Sequence, residues 1–303
     1  LKIRSLKTNI DRVKIGLTGS AVLLILAILV VLLATIIIGG SRVISWEFIS
    51  QPPREGMTAG GIFPAIFGMV FSMFLMLIAV VPVGVLTAVY LHEYAKLDHW
   101  FTRMVRTAVT NLAGVPSIVF GLFGLGFFIQ FIGRGLDHSL GQDILFGQPC
   151  ILWASLTLAL LNLPLVIVAT EEALRAVPQA ERAGALALGA TKWQTVRHVV
   201  LPQALPGILT GTVLTVARGA GEVAPIMFTG AAYYLPYLPK APTDQFMTLG
   251  YHIFVMSTQS PDIEATIPIA MGATLVLLCL TIALNMVAVV IRSRTRRALK
   301  KGK

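Results

Sequence analysis

Five stretches of this chain, Gly16–Gly40, Ile62–Leu91, Thr107–Gly133, Cys150–Thr170 and Ile267–Ile291, contain no charged side chain and are each long enough to cross about 30 Å of hydrocarbon. A sixth, Gly207–Tyr233, is equally apolar apart from Arg218 and Glu222, four residues apart. With 56% of residues hydrophobic and only 13% charged, a soluble domain could not hide this much apolar surface. Inside hydrocarbon each backbone N–H and C=O must be satisfied within its own segment, so runs of this length become helices. The expected fold class is therefore all-α: a polytopic membrane protein of six transmembrane helices, forming one domain over residues 1–303. The first run is too long for the apolar core of a signal peptide and reads as a retained helix.

Six crossings bring both termini to one side, and the cations decide which. Nineteen of the 24 Lys and Arg residues fall in Lys2–Lys14, Lys96–Arg106, Arg175–Arg197 and Arg292–Lys303. Only Arg42, Arg54, Arg134 and Lys240 fall on the opposite side, and the last cation is Arg218. That asymmetry predicts cytoplasmic termini in a bacterial inner membrane. The net charge of +10 is then a fringe that anchors to anionic lipid, and no folded basic domain stands behind it to bind nucleic acid. Cys150 and Cys279 have neither metal-ligand nor CxxC spacing and read as packing residues, and the five histidines are scattered. No metal site is expected.

The most specific local pattern lies in Glu171–Pro206. Pro178 suits a first helical turn, Gln179–Leu188 is Ala-rich, and Gly189 stands where a left-handed C-cap is needed. Thr191-Lys192-Trp193-Gln194 reads as a capping box opening a second helix, with Trp193, Val196 and Val200 on one face and Pro202 as its stop. A cytoplasmic helix-turn-helix results. It is either a connector lying on the bilayer or a docking element; Ala183, Gly184, Ala187 and Leu188 offer little bulk to lipid and a close-packing face to a protein. Between the second and third crossings, Leu91, Tyr94, Ala95, Trp100, Phe101 and Met104 form the apolar side of a short interfacial helix. Outside, Tyr233–Pro242 gathers three prolines and three tyrosines, either an interface belt or a docking surface.

Several motifs point the same way. Gly189, nine residues, then Val199-Val200-Leu201-Pro202 resembles the G-x9-[I/V]-x-L-P half of the EAA loop of ABC-importer permeases. The likeness extends through Thr170–Leu174 (including Glu172), Val177-Pro178 and Gln203–Gly211, and includes Asn111–Gly121 and Ala217–Pro225. Together these resemble the phosphate-specific permeases of the type I ABC-importer family over roughly Ile62–Arg292. The resemblance implies a PstC-like sister permease, two copies of a PstB-like cytoplasmic ATPase gripping Thr170–Pro202, and a PstS-like external phosphate-binding protein. ATP and Mg would sit in the ATPase, leaving this chain without a cofactor. One departure stands out: six residues before the loop glycine, where the family has Glu, this chain has Ala183, with Glu181 the nearest acid. An ATPase contact made by that Glu is then lost, moved to Glu181 or replaced.

A charge at membrane depth costs a few kcal/mol even on lenient scales, so Arg218 and Glu222 are expected to line a path. The guanidinium supplies positive charge and paired donors for a tetrahedral oxyanion, and Glu222 offsets it when the site is empty. The plain alternative is a structural ion pair one turn apart. Gly219, Ala220 and Gly221 allow close helix approach or local unwinding, and Gly207–Gly211 is a GxxxG packing motif. Asn111 and Ser117 add neutral donors along the path or simply cap a kinked helix end, and Asn162 and Pro164 leave the same choice open. Arg218 does not separate phosphate from sulfate, molybdate or a phosphonate. A proton-coupled secondary transporter working through Glu222, or a non-transporting scaffold, are the readings outside the class. Gly184-x4-Gly189 lacks the Lys-Ser/Thr of a P-loop, and no protease or hydrolase constellation occurs, so no enzyme activity is expected.

Overall fold

A computed structural model of the chain describes residues 2–96, 98–141 and 144–301. Leu1 and the last two residues of the basic tail, Gly302 and Lys303, lie outside the described residues. The long α1 (Lys2–Ser41) is followed by α2 (Trp46–Ser50), a small hairpin of β1 (Pro53–Arg54) and β2 (Ala59–Gly60), and α3 (Phe63–Val89). Then come α4 (Trp100–Ala113), α5 (Ser117–Phe123), which continues as a wider π-type helix through Gly133, α6 (Arg134–Leu140) and α7 (Ile151–Arg175). The loop element is α8 (Gln179–Ala187) and α9 (Lys192–Thr195), succeeded by α10 (Leu201–Ala220), α11 (Ala224–Thr229), α12 (Leu249–Thr258) and α13 (Ile263–Lys301).

Six helical stretches are long and apolar enough to cross a membrane: Lys14–Ser41, Phe63–Tyr94, Ser117–Leu140, Ile151–Arg175, Lys192–Ala220 and Ile263–Thr295. Two differ from the sequence reading. The third crossing starts at Ser117 instead of Thr107, because Gly114-Val115-Pro116 ends α4 and Pro116 cannot donate to a continuing ladder. The fifth runs Lys192–Ala220 where Gly207–Tyr233 was expected. Its helix stops before Glu222, and the chain re-forms only the six-residue α11.

Pro202 likewise does not end the loop helix. A π-type turn over Val196–Val200, in which Leu201 N–H reaches Val196 O, widens the helix just before Pro202 and carries the chain past its missing N–H into α10. The second loop helix is thus the beginning of the fifth crossing. Pro64 stands in the first turn of α3, and Pro82 sits inside the helix.

The packing centre is α7, which lies along α3 on one side and α10 on another, with α11 across its far end. The α7–α10 approach is set by the GxxxG: a Cβ on Gly207 or Gly211 would stand 2.5 Å from the Cβ of Ala173 or Ala169. Buried methionines, Met69, Met73, Met76, Met247 and Met256, fill the irregular space between α3, α7 and α12. α1 rests on α13 and exposes a continuous Leu/Ile/Val surface, as a lipid-facing helix does. At the end opposite the loop, the Asp137 carboxylate accepts from the backbone N–H of Leu145, Phe146 and Gly147 at 2.6–3.1 Å, pinning the α6–α7 connection.

Candidate functional site

Arg218 sits in the last turn of α10, and Glu222 just beyond its end. Gly219 packs against the sulfurs of Met73 and Met76 on α3, where a Cβ would come within 3.1 Å of both. Gly221 caps the helix, its N–H donating to Arg218 O at 3.3 Å, and Glu222 N–H donates to Gly219 O at 3.2 Å. The glycines therefore serve close approach and termination together.

This geometry brings Arg218 Nε to 3.7 Å from Glu222 Oε1. That is an ion-pair distance, too long for a hydrogen bond. Arg218 makes no hydrogen bond among the described residues, so its planar donors are unspent. Its side chain is 45% exposed and that of Glu222 17%, which puts the cation on an open face and the anion against the packed wall. Leu214, one turn earlier, is exposed on the same stripe. An arginine with free donors on an exposed stripe, next to a helix break, can grip an oxyanion, and the neighbouring carboxylate can pair with the guanidinium again when the anion leaves.

The other two sequence candidates sit on neighbouring elements. Asn111 is exposed in the last turn of α4, and Ser117 opens α5. Neither side chain bonds to Arg218 or Glu222 among the described residues. α5 nevertheless crosses α11 closely: a Cβ on Gly121 would lie 3.0 Å from Ala224 O and Pro225 Cα. Asn162 is fully buried in α7, its amide donating to Leu158 O at 2.9 Å, and lines no open surface.

The loop element is built as its residues dictate. α8 ends at Ala187, and Gly189 takes φ +85°, the left-handed region that a side chain would strain. The capping box is complete: Gln194 N–H donates to Thr191 Oγ1 at 3.3 Å, and Thr191 N–H to Gln194 Oε1 at 2.8 Å. Val196 and Val200 are buried, whereas Trp193, expected on their face, is 51% exposed. Ala183, Gly184, Ala187 and Leu188 all face solvent, Leu188 at 90%. Glu172 is exposed as well, while Leu201 and Pro202 are half-buried at the start of α10. Glu181 accepts from Gln203 Nε2, and so ties α8 to α10 within the loop.

Sequence spacing could not reveal what anchors this element. Arg182, 8% exposed, donates from Nη1 to Val177 O at 2.6 Å and from Nη2 to Leu174 O at 2.7 Å. Its Nη2 and Nε also reach Glu93 Oε1, at 3.0 and 3.3 Å, on the turn that ends the second crossing. Arg106 of α4 forks onto Glu171 of α7 at 3.1–3.2 Å and donates to Leu91 O at 3.0 Å. Lys192 Nζ lies 4.9 Å from the Tyr94 ring centre. The partners are far apart in sequence, so the only local sign was acids and cations bordering apolar runs.

The family of binding-protein-dependent transport system inner membrane components matches residues 80–301. The chain belongs to that family. It is a multi-pass inner-membrane permease subunit of an ABC importer, an assembly that also includes a sister permease, an ATPase and a binding protein. ATP hydrolysis falls to the separate ATPase subunit. The permease is 33% identical over 291 residues to the probable ABC transporter permease protein YqgI of Bacillus subtilis, covering 92% of this chain and 93% of that one. It is 40% identical over 169 residues to the phosphate transport system permease protein PstA of Mycobacterium leprae, covering 56% of this chain and about half, 51%, of that relative. A permease chain in the crystal structure of a bacterial alginate ABC transporter bound to its periplasmic protein matches with TM-score 0.67 and 16% identity, over 92% of this chain and 93% of that one. That likeness carries the fold, a type I importer permease with its coupling helix-turn-helix.

Proposed function

We propose that this permease forms half of the translocation pathway of an ATP-driven inorganic phosphate importer, with Arg218 and Glu222 on the path. The observation that carries the reading is Arg218: a cation with unspent donors on an exposed stripe of the fifth crossing, held 3.7 Å from a carboxylate at a helix break. The phosphate relatives support phosphate as the oxyanion. In this reading the α8 face of Ala183, Gly184, Ala187 and Leu188 seats in a PstB-like ATPase, one of a pair, and Gly189, Glu172, Leu201 and Pro202 shape the same element. Both termini are cytoplasmic in this reading, which the Lys and Arg distribution supports. A PstC-like subunit supplies the other half of the path. A PstS-like binding protein docks on the far end, where Tyr237, Lys240 and Asp244 border an open cavity of about 660 Å³. The chain itself holds no cofactor; ATP and Mg bind the ATPase.

ATP-driven closure of the ATPases moves α8, and the Arg182–Glu93 and Arg106–Glu171 bridges pass that movement to the second and fourth crossings and to α4. The test is uptake of radiolabelled phosphate into vesicles carrying the assembled importer, with and without ATP on the ATPase side, for wild type and Arg218→Gln. Uptake that needs ATP and disappears in the assembled variant supports the reading. Normal transport by the variant removes Arg218 from the path, ATP-independent uptake rules out the coupled mechanism, and sulfate or molybdate uptake in place of phosphate reassigns the substrate.

A further inference from the structure

Of the arginines that packing takes wholly or partly out of solvent, Arg106 and Arg182 each meet a carboxylate. Arg292 does not. It is half-buried where α13 leaves its apolar run, and among the described residues no acid pairs with it. Its guanidinium makes one hydrogen bond, from Nη1 to Thr210 Oγ1 at 3.1 Å, and the Thr210 hydroxyl spends its own proton on Pro206 O at 2.9 Å. A guanidinium has five N–H donors, so four are left. They border a cavity of about 380 Å³ lined by Pro206, Gly207, Thr210, Arg292 and Ser293. A half-buried cation with no counter-ion and most of its donors unspent calls for an anion.

The cavity's place on the helix says which anion. Thr210, Leu214 and Arg218 follow at i, i+4 and i+8, a single stripe of α10, and Leu214 is exposed between the other two. Eight residues advance about 12 Å along the axis toward the loop end. The apolar groove between α3, α10 and α13, by contrast, uses Leu209, Thr212 and Val216, on a different side of α10. A lipid chain lying there follows another surface.

We infer that Arg292 and Thr210 form a second station for the transported oxyanion, at the cytoplasmic end of the stripe that carries Arg218. The inference rests on Arg218 being on the path. A lone deep cation that binds well enough to admit the anion also holds it; a second, shallower one lets it leave in steps.

The test measures radiolabelled phosphate binding to the nucleotide-free permease–ATPase assembly without its binding protein, carrying Arg218→Gln so that only the second station is read, in phosphatidylcholine nanodiscs. Arg292→Gln is expected to weaken binding at least tenfold, Arg292→Lys to restore most of it, and Thr210→Val to weaken it severalfold with the charge intact. In uptake, Arg292→Gln lowers the maximal rate and leaves the half-saturating external phosphate concentration unchanged, because capture occurs at the other end. If sulfate or molybdate saturates the site in place of phosphate and still needs Arg292, the station stands and the phosphate assignment fails. The inference is overturned if Arg292→Gln leaves that phosphate binding unchanged. It is overturned equally if the site takes phosphatidylglycerol, retained by wild type and lost from Arg292→Gln, and no free oxyanion.

Discussion

Replacing Arg182 by Met keeps the length of the side chain and removes its charge and donors. Glu93, whose side chain is 10% exposed, then loses its cation at nearly full burial, and Val177 O loses its hydrogen bond. Leu174 O keeps a bond from Val177 N–H, so it suffers less. Removing one member of a buried ion pair costs about 3–5 kcal/mol, and an orphaned carbonyl adds about 1 kcal/mol or more. Burial of both partners means that solvent screening discounts this little. The double variant Arg182→Met/Glu93→Gln removes the stranded charge and should recover about 2 kcal/mol or more relative to adding the two single losses.

Thermal unfolding of the purified complex reads the stability. Phosphate transported per ATP hydrolysed reads the coupling, since α8 loses its tie to the second crossing while its ATPase-facing surface is unchanged. The single variant should unfold well below wild type and hydrolyse ATP with less uptake. A loss under about 1 kcal/mol, or a strictly additive cycle, would show that the bridge does not stabilise the loop, and unchanged phosphate per ATP would show that it does not transmit its movement.

The close α7–α10 approach predicts that Gly211→Ala destabilises by about 1–3 kcal/mol, since its methyl would stand 2.5 Å from Ala169 Cβ, and that Ala169→Gly rescues it. Thermal unfolding of the two variants and their combination checks this. His252, on α12 outside the six crossing helices, is 2% exposed with its Nδ1 unpartnered, and burial alone pushes its pKa down to about 4. A depressed histidine is neutral when folded. It therefore costs no stability at pH 7.5, and the loss sets in as pH falls below about 6.5 and levels off below about 4, reaching about 3 kcal/mol. The complex should lose about 2 kcal/mol of that by pH 5, and His252→Met should remove this part of the pH dependence. Unfolding midpoints at pH 7.5 and 5.0 decide it.

The sequence by itself determined that this is an all-α, six-crossing protein, because uncharged runs of crossing length leave the backbone no other way to satisfy its polar groups in hydrocarbon. It also determined the loop's turn chemistry. Gly189 and the Thr191–Gln194 box act on neighbours within four residues, and such local rules survive into the fold. Arg218 and Glu222 were visible because charge is rare in an apolar run. Where a helix passes a proline or stops at a glycine depends on what packs beside it: the π-type turn before Pro202 and the end of α10 against Met73 and Met76 came only with the tertiary structure. So did the partners of the buried cations. Arg182 meets Glu93 across 89 residues, and Arg292 meets Thr210 across 82. Ion pairing and desolvation act through space, and nothing in the spacing of a single chain encodes which distant helices will be brought side by side.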